Sequence, residues 1–310
     1  MKVHIHANCQ SIPLAGLLKE AQPGWDISYF EAHAGEIIDR IDEHHSLIRT
    51  ADLVISQPIH NGYRERTDLS IDWVRENVRA NATLLVFPSI HFTGHHPGLD
   101  ELPLQGIPFL SSLLAAHLIA SGLTPTAALD HLLSEQLLRD EDIEAEIQAS
   151  LDEIRRREVV EQMDILITPF LEEHCRTRPL FHIQNHPLRE TMVFVANQIL
   201  ERLECTGRVA VDGHDYQCQP HVPLLPSIDR YLCAQRGDPT GRGPAEMVLI
   251  PGYPPMTQAE YYGCMLEGLA RYSAEEIFQT IVKRWPTVQM LRRLAAQRSP
   301  LPGAERWLVA

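Results

Sequence analysis

Long apolar runs are missing from this 310-residue chain. Its most apolar stretch, Pro108 to Leu123, carries Ser111, Ser112, His117 and Ser121. It is also shorter than the roughly 20 apolar residues a spanning helix needs, which excludes a bilayer span. Basic charge is scarce too: 27 Lys and Arg stand against 41 Asp and Glu, a net of −14. Phosphate backbones repel such a surface, so non-specific binding to nucleic acid is excluded, while a local basic site for a phosphate ligand is not. The six cysteines, at 9, 175, 205, 218, 233 and 264, form no CxxC pair. That speaks against a zinc ribbon or a thioredoxin motif, and free thiols are expected in a reducing compartment. The start, Met1 to Gln10, has one Lys and alternating Val and His where a signal peptide would have an apolar segment. A cytoplasmic protein is therefore expected. Internal repeats and low-complexity tracts are lacking as well.

What is present is an ordinary globular balance, 44% apolar and 22% charged, which excludes a disordered chain or a fibrous rod. The first hundred residues alternate strand and helix signals. Strands are expected at Lys2–His6, Trp25–Phe30, Asp52–Ser56 and Thr83–Phe87. Helices are expected from Ser11, around Ile37–Arg49 and at Ile71–Val78. This rhythm predicts an α/β fold: a mostly parallel sheet flanked by helices, an SGNH- or flavodoxin-like core. Residues 107–180 read as a helical insertion and 206–310 as a C-terminal extension of a single α/β domain. In the insertion, Pro108 to Ser121 reads as a helix closed by Gly122, and Thr124-Pro125 as a cap followed by an N1 proline. Ile143, Ile147, Leu151 and Ile154 make an inward stripe. Phe181–Ile183 reads as a short strand and Arg189–Glu204 as a helix, whereas Arg208–Val211 and Met247–Ile250 carry weaker strand signals. Asp238–Gly243 reads as a loop, and Ser273 with Glu276 as a capping box.

Parallel sheets bind ligands at the carboxyl ends of their strands. Four groups of residues fall there or beside it. Asn8-Cys9-Gln10-Ser11 puts a thiol at a strand-to-helix turn. Unpaired backbone N–H groups and the positive helix end would lower the thiol pKa there and could hold an oxyanion. The geometry is that of a nucleophile elbow, and a small buried structural cysteine fits the same place. Pro88 to Pro97 supplies Ser89, His91, Thr93, His95 and His96. One of these histidines could act as base for Cys9, or the segment is a polar surface loop. Adjacent His95 and His96 do not readily face one metal, and no metal is expected. Asn185-His186-Pro187 presents another imidazole, held extended by the proline, or else a simple helix-entry turn. Gln57, Tyr63, Arg64 and Arg66 form the fourth group, suited to a carbonyl, a hydroxyl or phosphates, or to a solvated loop.

Taken in order, NCQS (Asn8–Ser11), SQPI and GYR (Ser56–Ile59, Gly62–Arg64), PSI with the following Phe, Gly and HP (Pro88–Pro97) and NHP (Asn185–Pro187) resemble the WcbI-type polysaccharide-biosynthesis family. The resemblance covers roughly the first 205 residues. Ala7 stands where that pattern has Gly, and His95 where it has an aromatic such as Tyr. The resemblance implies capsular polysaccharide biosynthesis and a coenzyme A-dependent O-acetyltransferase that takes acetyl-CoA and a sugar as substrates. It implies Cys9 as the reactive thiol and His96 or His186 as base. Asn8, Gln10, Gln57, Tyr63, Arg64, Ser89, Thr93, His95 and Asn185 would line the pocket. Arg64 and Arg66, and more weakly the Arg155-Arg156-Arg157 run, would meet the phosphates. Two other readings stay open. One is a Cys/His thioesterase or esterase of SGNH-like architecture; the other is a non-enzymatic protein that binds coenzyme A or a glycan. Homo-oligomerisation is left open by the sequence.

Overall fold

The structure is a computed structural model that describes residues 1–35, 38–107, 110–238, 247–283, 285–296 and 301–308. Down the chain run β1 (Lys2–Ala7), α1 (Ser11–Ala21), β2 (Asp26–Glu31), α2 (Ile41–Thr50), β3 (Leu53–Ser56), α3 (Ile71–Asn77) and β4 (Thr83–Val86). Then come β5 (Leu99–Asp100), β6 (Ser111–Ser112), α4 (Leu113–Ala120), α5 (Pro125–Leu132), α6 (Asp140–Val160) and α7 (Thr168–His174). The rest comprises β7 (Phe181–Ile183), β8 (His186–Pro187), α8 (Arg189–Arg202), α9 (Pro226–Gln235), α10 (Gln258–Leu269), α11 (Ala274–Val282) and α12 (Trp285–Ala296). These residues divide into two compact units: Met1–His91 with Asp152–Glu173 and Asn185–Cys218, and Phe92–Leu151 with His174–Gln184 and Gln219–Ala310.

The first unit holds a four-stranded parallel sheet in the order β2-β1-β3-β4. The expected α/β class is therefore observed. Register pairs Ile5 with Tyr29 on one side and with Ile55 on the other. The chain steps outward in opposite directions from β1, so the switch point lies between the ends of β1 and β3, where such sheets take their ligands. α1 covers the sheet with Leu14, Leu17 and Leu18, all essentially inaccessible. A second cluster joins Ile48 of α2, Val54 of β3, Ile71 and Val74 of α3, and Val86 of β4. β1 is central, so both its faces are buried. His4 and His6 alternate with Val3 and Ile5, yet all four lie at or below 1% exposure. His4 Nε2 lies 3.0 Å from His44 Nδ1, and the His6 ring stacks on His44 at 4.7 Å.

In the second unit α4 is buried nearly all round, as an apolar central helix must be, and packs against α5, α10 and α11. The Thr124 cap with Pro125, the Ile143–Ile147–Leu151–Ile154 stripe and the Ser273–Glu276 capping box form as the sequence implies. Three expectations fail. The helix expected over Pro108–Ser121 begins only at Leu113, because Ser112 turns its hydroxyl back to accept from Ala115 N–H, while Ser111 and Ser112 pair with Asp100 and Leu99. Pro108 and Phe109 lie outside the described residues, as do Ile37 and the 239–243 part of the expected loop. Arg208–Val211 is irregular, its Val209 N–H taken by Asn197 Oδ1. Around Met247–Ile250 only isolated bridges form, Val248 to Met256 and Leu249 to His221.

Candidate active site

Everything at the switch point follows from how β1 ends. The chain leaves Ala7, turns at Asn8 and Cys9, and enters α1 with Gln10 at the cap. Asn8 organises this turn: its Oδ1 accepts from Gln10 N–H at 2.9 Å and its carbonyl from Ser11 N–H at 2.9 Å. Its own N–H donates to Gln57 Oε1 at the end of β3, and its Nδ2 to Ser89 Oγ beyond β4. One residue thus ties the end of its own strand, β1, to the ends of β3 and β4.

Gln10 is fully buried and bonded at both ends of its carboxamide. Its Nε2 donates to the carbonyls of Ile90 (2.7 Å) and Asn185 (2.9 Å). Its Oε1 accepts from Gln57 Nε2 (3.0 Å) and Ile90 N–H (3.1 Å). A buried amide with every partner present is a rigid joint. This joint fixes the Asn185 turn against the Cys9 turn. Pro187 holds the next residue extended, and His186 Nε2 comes to 3.4 Å from the Cys9 sulfur. His186 is 8% exposed and Cys9 is half-buried.

The thiol is not electrically primed as the turn alone suggests. Burial is the largest influence and pushes it up to about 11. The Gln217 side chain pulls the other way, Glu31 adds to the rise, and the N–H groups of Cys9 and Gln10 lower it. The expected lowering by the turn's N–H groups is present but outweighed by burial, and Gln10 and Ser11 N–H are also bonded to Asn8 and Ile12 N–H to the Cys9 carbonyl at 3.3 Å.

A second tie sets α1 against α8. Arg189, 8% exposed, makes a two-pronged ion pair with Glu20 at 3.0 and 2.7 Å. The same guanidinium donates to the carbonyls of Ala210, Val211 and His214, and Arg189 N–H donates to Asp215 Oδ2. Residues 210–217 are thereby strapped across both helices. The Tyr216 ring lies where a Cβ on Gly16 would stand, 2.7 Å away. Gln217, one residue on, is buried.

The other sequence candidates divide. Ser89 takes part in the Asn8 network, and its carbonyl accepts from Arg157 Nη1 at 3.2 Å. Tyr63 packs against the cluster of Phe30, Ala32 and Leu69, and Arg64 donates to the carbonyls of His33 and Ala34. Arg66 is paired with Asp68. Arg155 is paired with Asp152 and Glu172, and Arg156 with Glu153. Thr93, His95 and His96 belong to the second unit and bond to its own groups. Thr93 Oγ1 meets Ser150 Oγ at 2.7 Å. Both ring nitrogens of His95 are engaged, Nε2 on the Cys175 carbonyl and Nδ1 on Leu180 N–H. His96 is bonded to the Phe181 carbonyl. Burial brings these imidazoles down to about 4 and about 3. Among the described residues of the first unit, His186 is the imidazole brought to Cys9, and no group of three or more ligands that could hold a metal occurs in the described chain.

Sequence reasoning passed over Glu20 and Arg189. One signal was available for Arg189: a cation in the first turn of a helix opposes the helix dipole, so it needs an anionic partner elsewhere.

The solved structure of WcbI, described as a novel polysaccharide biosynthesis enzyme in its native form without a disulfide bond between coenzyme A and a cysteine, superposes on this chain with a TM-score of 0.76. The match covers 99% of this chain and 98% of that one at 21% identity, a likeness of fold. No curated protein matches. None of the described helices is long and apolar enough to cross a membrane. The family model for the polysaccharide biosynthesis enzyme WcbI matches residues 2–208, two thirds of the sequence, and this chain belongs to that enzyme family.

Proposed function

We propose that this enzyme is a coenzyme A-dependent O-acetyltransferase acting on a sugar or polysaccharide precursor, with Cys9 and His186 as the reacting pair. The observation that carries the reading is the 3.4 Å approach of the two side chains at the switch point of a parallel sheet. A thiol held at about 11 stays protonated at neutral pH, so it needs a base in contact. His186 Nε2 takes the proton as the sulfur attacks the thioester carbonyl of acetyl-CoA. The C–S bond to coenzyme A breaks, and the departing thiolate recovers that proton. A sugar hydroxyl then attacks the acetyl-Cys9 carbonyl, giving its proton to His186, and the cysteine thiol is restored. Direct attack of the hydroxyl on acetyl-CoA, with His186 as base, uses the same geometry.

The relative's naming of coenzyme A together with a cysteine supports the donor. So does the local supply of cations in an acidic chain. Arg157, turned to the Ser89 carbonyl and 3.4 Å from Glu153, and exposed Arg64 are the guanidiniums offered to the phosphates. The test is to incubate the protein with acetyl-CoA, with and without sugar acceptors, and to follow thiol release and acetylation of the Cys9 peptide. Acceptor-dependent release, lost in Cys9→Ala and lowered by about 10²- to 10⁴-fold in His186→Asn, is expected. Release that ignores the acceptor makes the protein a hydrolase. Unchanged turnover in Cys9→Ala removes the cysteine from the chemistry.

A further inference from the structure

We infer that Glu20 and Arg189 are positioning residues for the proposed reaction: with Gln10 they anchor both ends of the segment Asn185–Arg189 on α1, and so set how closely His186 approaches Cys9. This rests on the reading above that those two side chains are the reacting pair. At one end of the segment the Asn185 carbonyl accepts from Gln10 Nε2 at 2.9 Å, where α1 begins. At the other end the Arg189 guanidinium meets Glu20 at 3.0 and 2.7 Å, in the last turn of the same helix. His186, 3.4 Å from the sulfur, lies between the two anchors. The lengths agree. From Gln10 to Glu20 the helix rises about 15 Å. The chain from Asn185 to Arg189 is extended through β8 and Leu188, and such a run spans at most about 14 Å, to which the arginine side chain adds its own reach. Pro187 restricts the backbone between the anchors.

Each charge of the pair is misplaced by the rules of its own helix. Glu20 sits at the negative end of α1 and Arg189 at the positive end of α8, so each opposes its helix dipole. Conflicts of this local kind are expected where function demands them, and here only the contact between the helices reconciles the two. Nor is the guanidinium left over for a substrate phosphate. Its five N–H bonds go to the Glu20 carboxylate and to the carbonyls of Ala210, Val211 and His214. At Gly213 the backbone comes so close that a Cβ there would stand 2.6 Å from Arg189 Nη2. Enclosed on that side and paired on the other, the guanidinium has one place to lie, and it holds the backbone just beyond His186.

The experiment is alkylation by iodoacetamide near neutral pH, read on the Cys9 peptide with exposed Cys264 as the internal standard. It uses the full chain and no acyl donor. The sulfur displaces iodide while its proton passes to His186 Nε2, so the rate reports the contact itself. In His186→Asn the Cys9 rate falls. In Glu20→Ala it falls by about two- to ten-fold, the worth of one hydrogen bond, and Cys264 keeps its rate. In the double variant the Glu20 change adds nothing to the loss from His186→Asn, because its effect runs through the imidazole. A tie that is merely structural would slow Cys9 by the same factor in both backgrounds, or leave it at or above the wild-type rate, and either result overturns the inference. If Glu20→Ala does not fold, the near-isosteric Glu20→Gln, which removes the charge, is read by the same criterion. A wild-type rate in His186→Asn refutes the reacting pair and this inference with it. A fall there beside a wild-type rate in Glu20→Ala refutes the tie alone.

Discussion

Lowering the pH to 5.5 should loosen β1 before any carboxylate in the sheet is protonated. Three imidazoles, His4, His6 and His44, are buried together beneath this strand at no more than 1% exposure. Burial holds His4 down to about 3 and His6 to about 4, and drives His44 lower still. The groups facing them are Ser28 Oγ on His4, the Leu69 carbonyl on His6, and the rings of Phe30 and His45, with His45 itself paired to Asp68. Among the described residues no carboxylate bonds directly to the three rings, so protonation brings repulsion and desolvation without an opposing ion pair. The sign follows from linkage: the unfolded chain binds protons near pH 6.5 and the folded chain does not, so stability is full above 6.5 and is lost as pH falls. Between about pH 7.5 and 5.5 each such histidine costs about 1.4 kcal/mol, hence about 4 kcal/mol for three. That is a large fraction of the 5–15 kcal/mol typical of a whole domain. Hydrogen exchange of the β1 peptide, corrected for the intrinsic pH dependence, measures it. His44→Leu should reduce the acid loss by about 1.4 kcal/mol, one proton's share. Equal protection of β1 at both pH values, or greater protection in acid, would refute the reasoning.

Gln10→Leu strips four hydrogen bonds from buried partners, the Ile90 N–H and carbonyl, the Asn185 carbonyl and Gln57 Nε2. Because each stranded group costs about 1–3 kcal/mol, urea denaturation should show a loss of roughly 3–5 kcal/mol after partial relaxation, and the Cys9–His186 approach should loosen with it. Gly16→Ala drives a Cβ to 2.7 Å from the Tyr216 ring. Protease nicking within residues 210–217 should rise, while α1, where alanine is favoured over glycine by about 1 kcal/mol, remains intact.

The sheet was legible because its strands are short apolar runs with turn residues at each end, and all four appear within a residue of expectation. What the pattern hid was the burial of both faces of β1. Alternation of His with Val and Ile looks like a wet face, and only strand order shows that β1 is central. Asn8, Cys9, Gln10, Gln57 and Ser89 were found because strand-end position is itself a signal. Which of His96 and His186 comes to Cys9 could not be read locally, since each precedes a proline in a polar segment. Long-range contacts separate them, through the Asn185 carbonyl bonded to Gln10. The 210–217 strap had no local signature, because its anchors, Arg189 and Glu20, are 169 residues apart.

Seen along α1, the thiol and Glu20 sit at opposite ends of one stiff rod, eleven residues or about 16 Å apart. The rod is bolted at its far end to the helix that begins just after His186. A slip of one ångström at that bolt would travel undamped to the sulfur, where an approach of 3.4 Å has little slack. A defect in that salt link, at the far end of the helix, would then be felt at the Cys9–His186 approach.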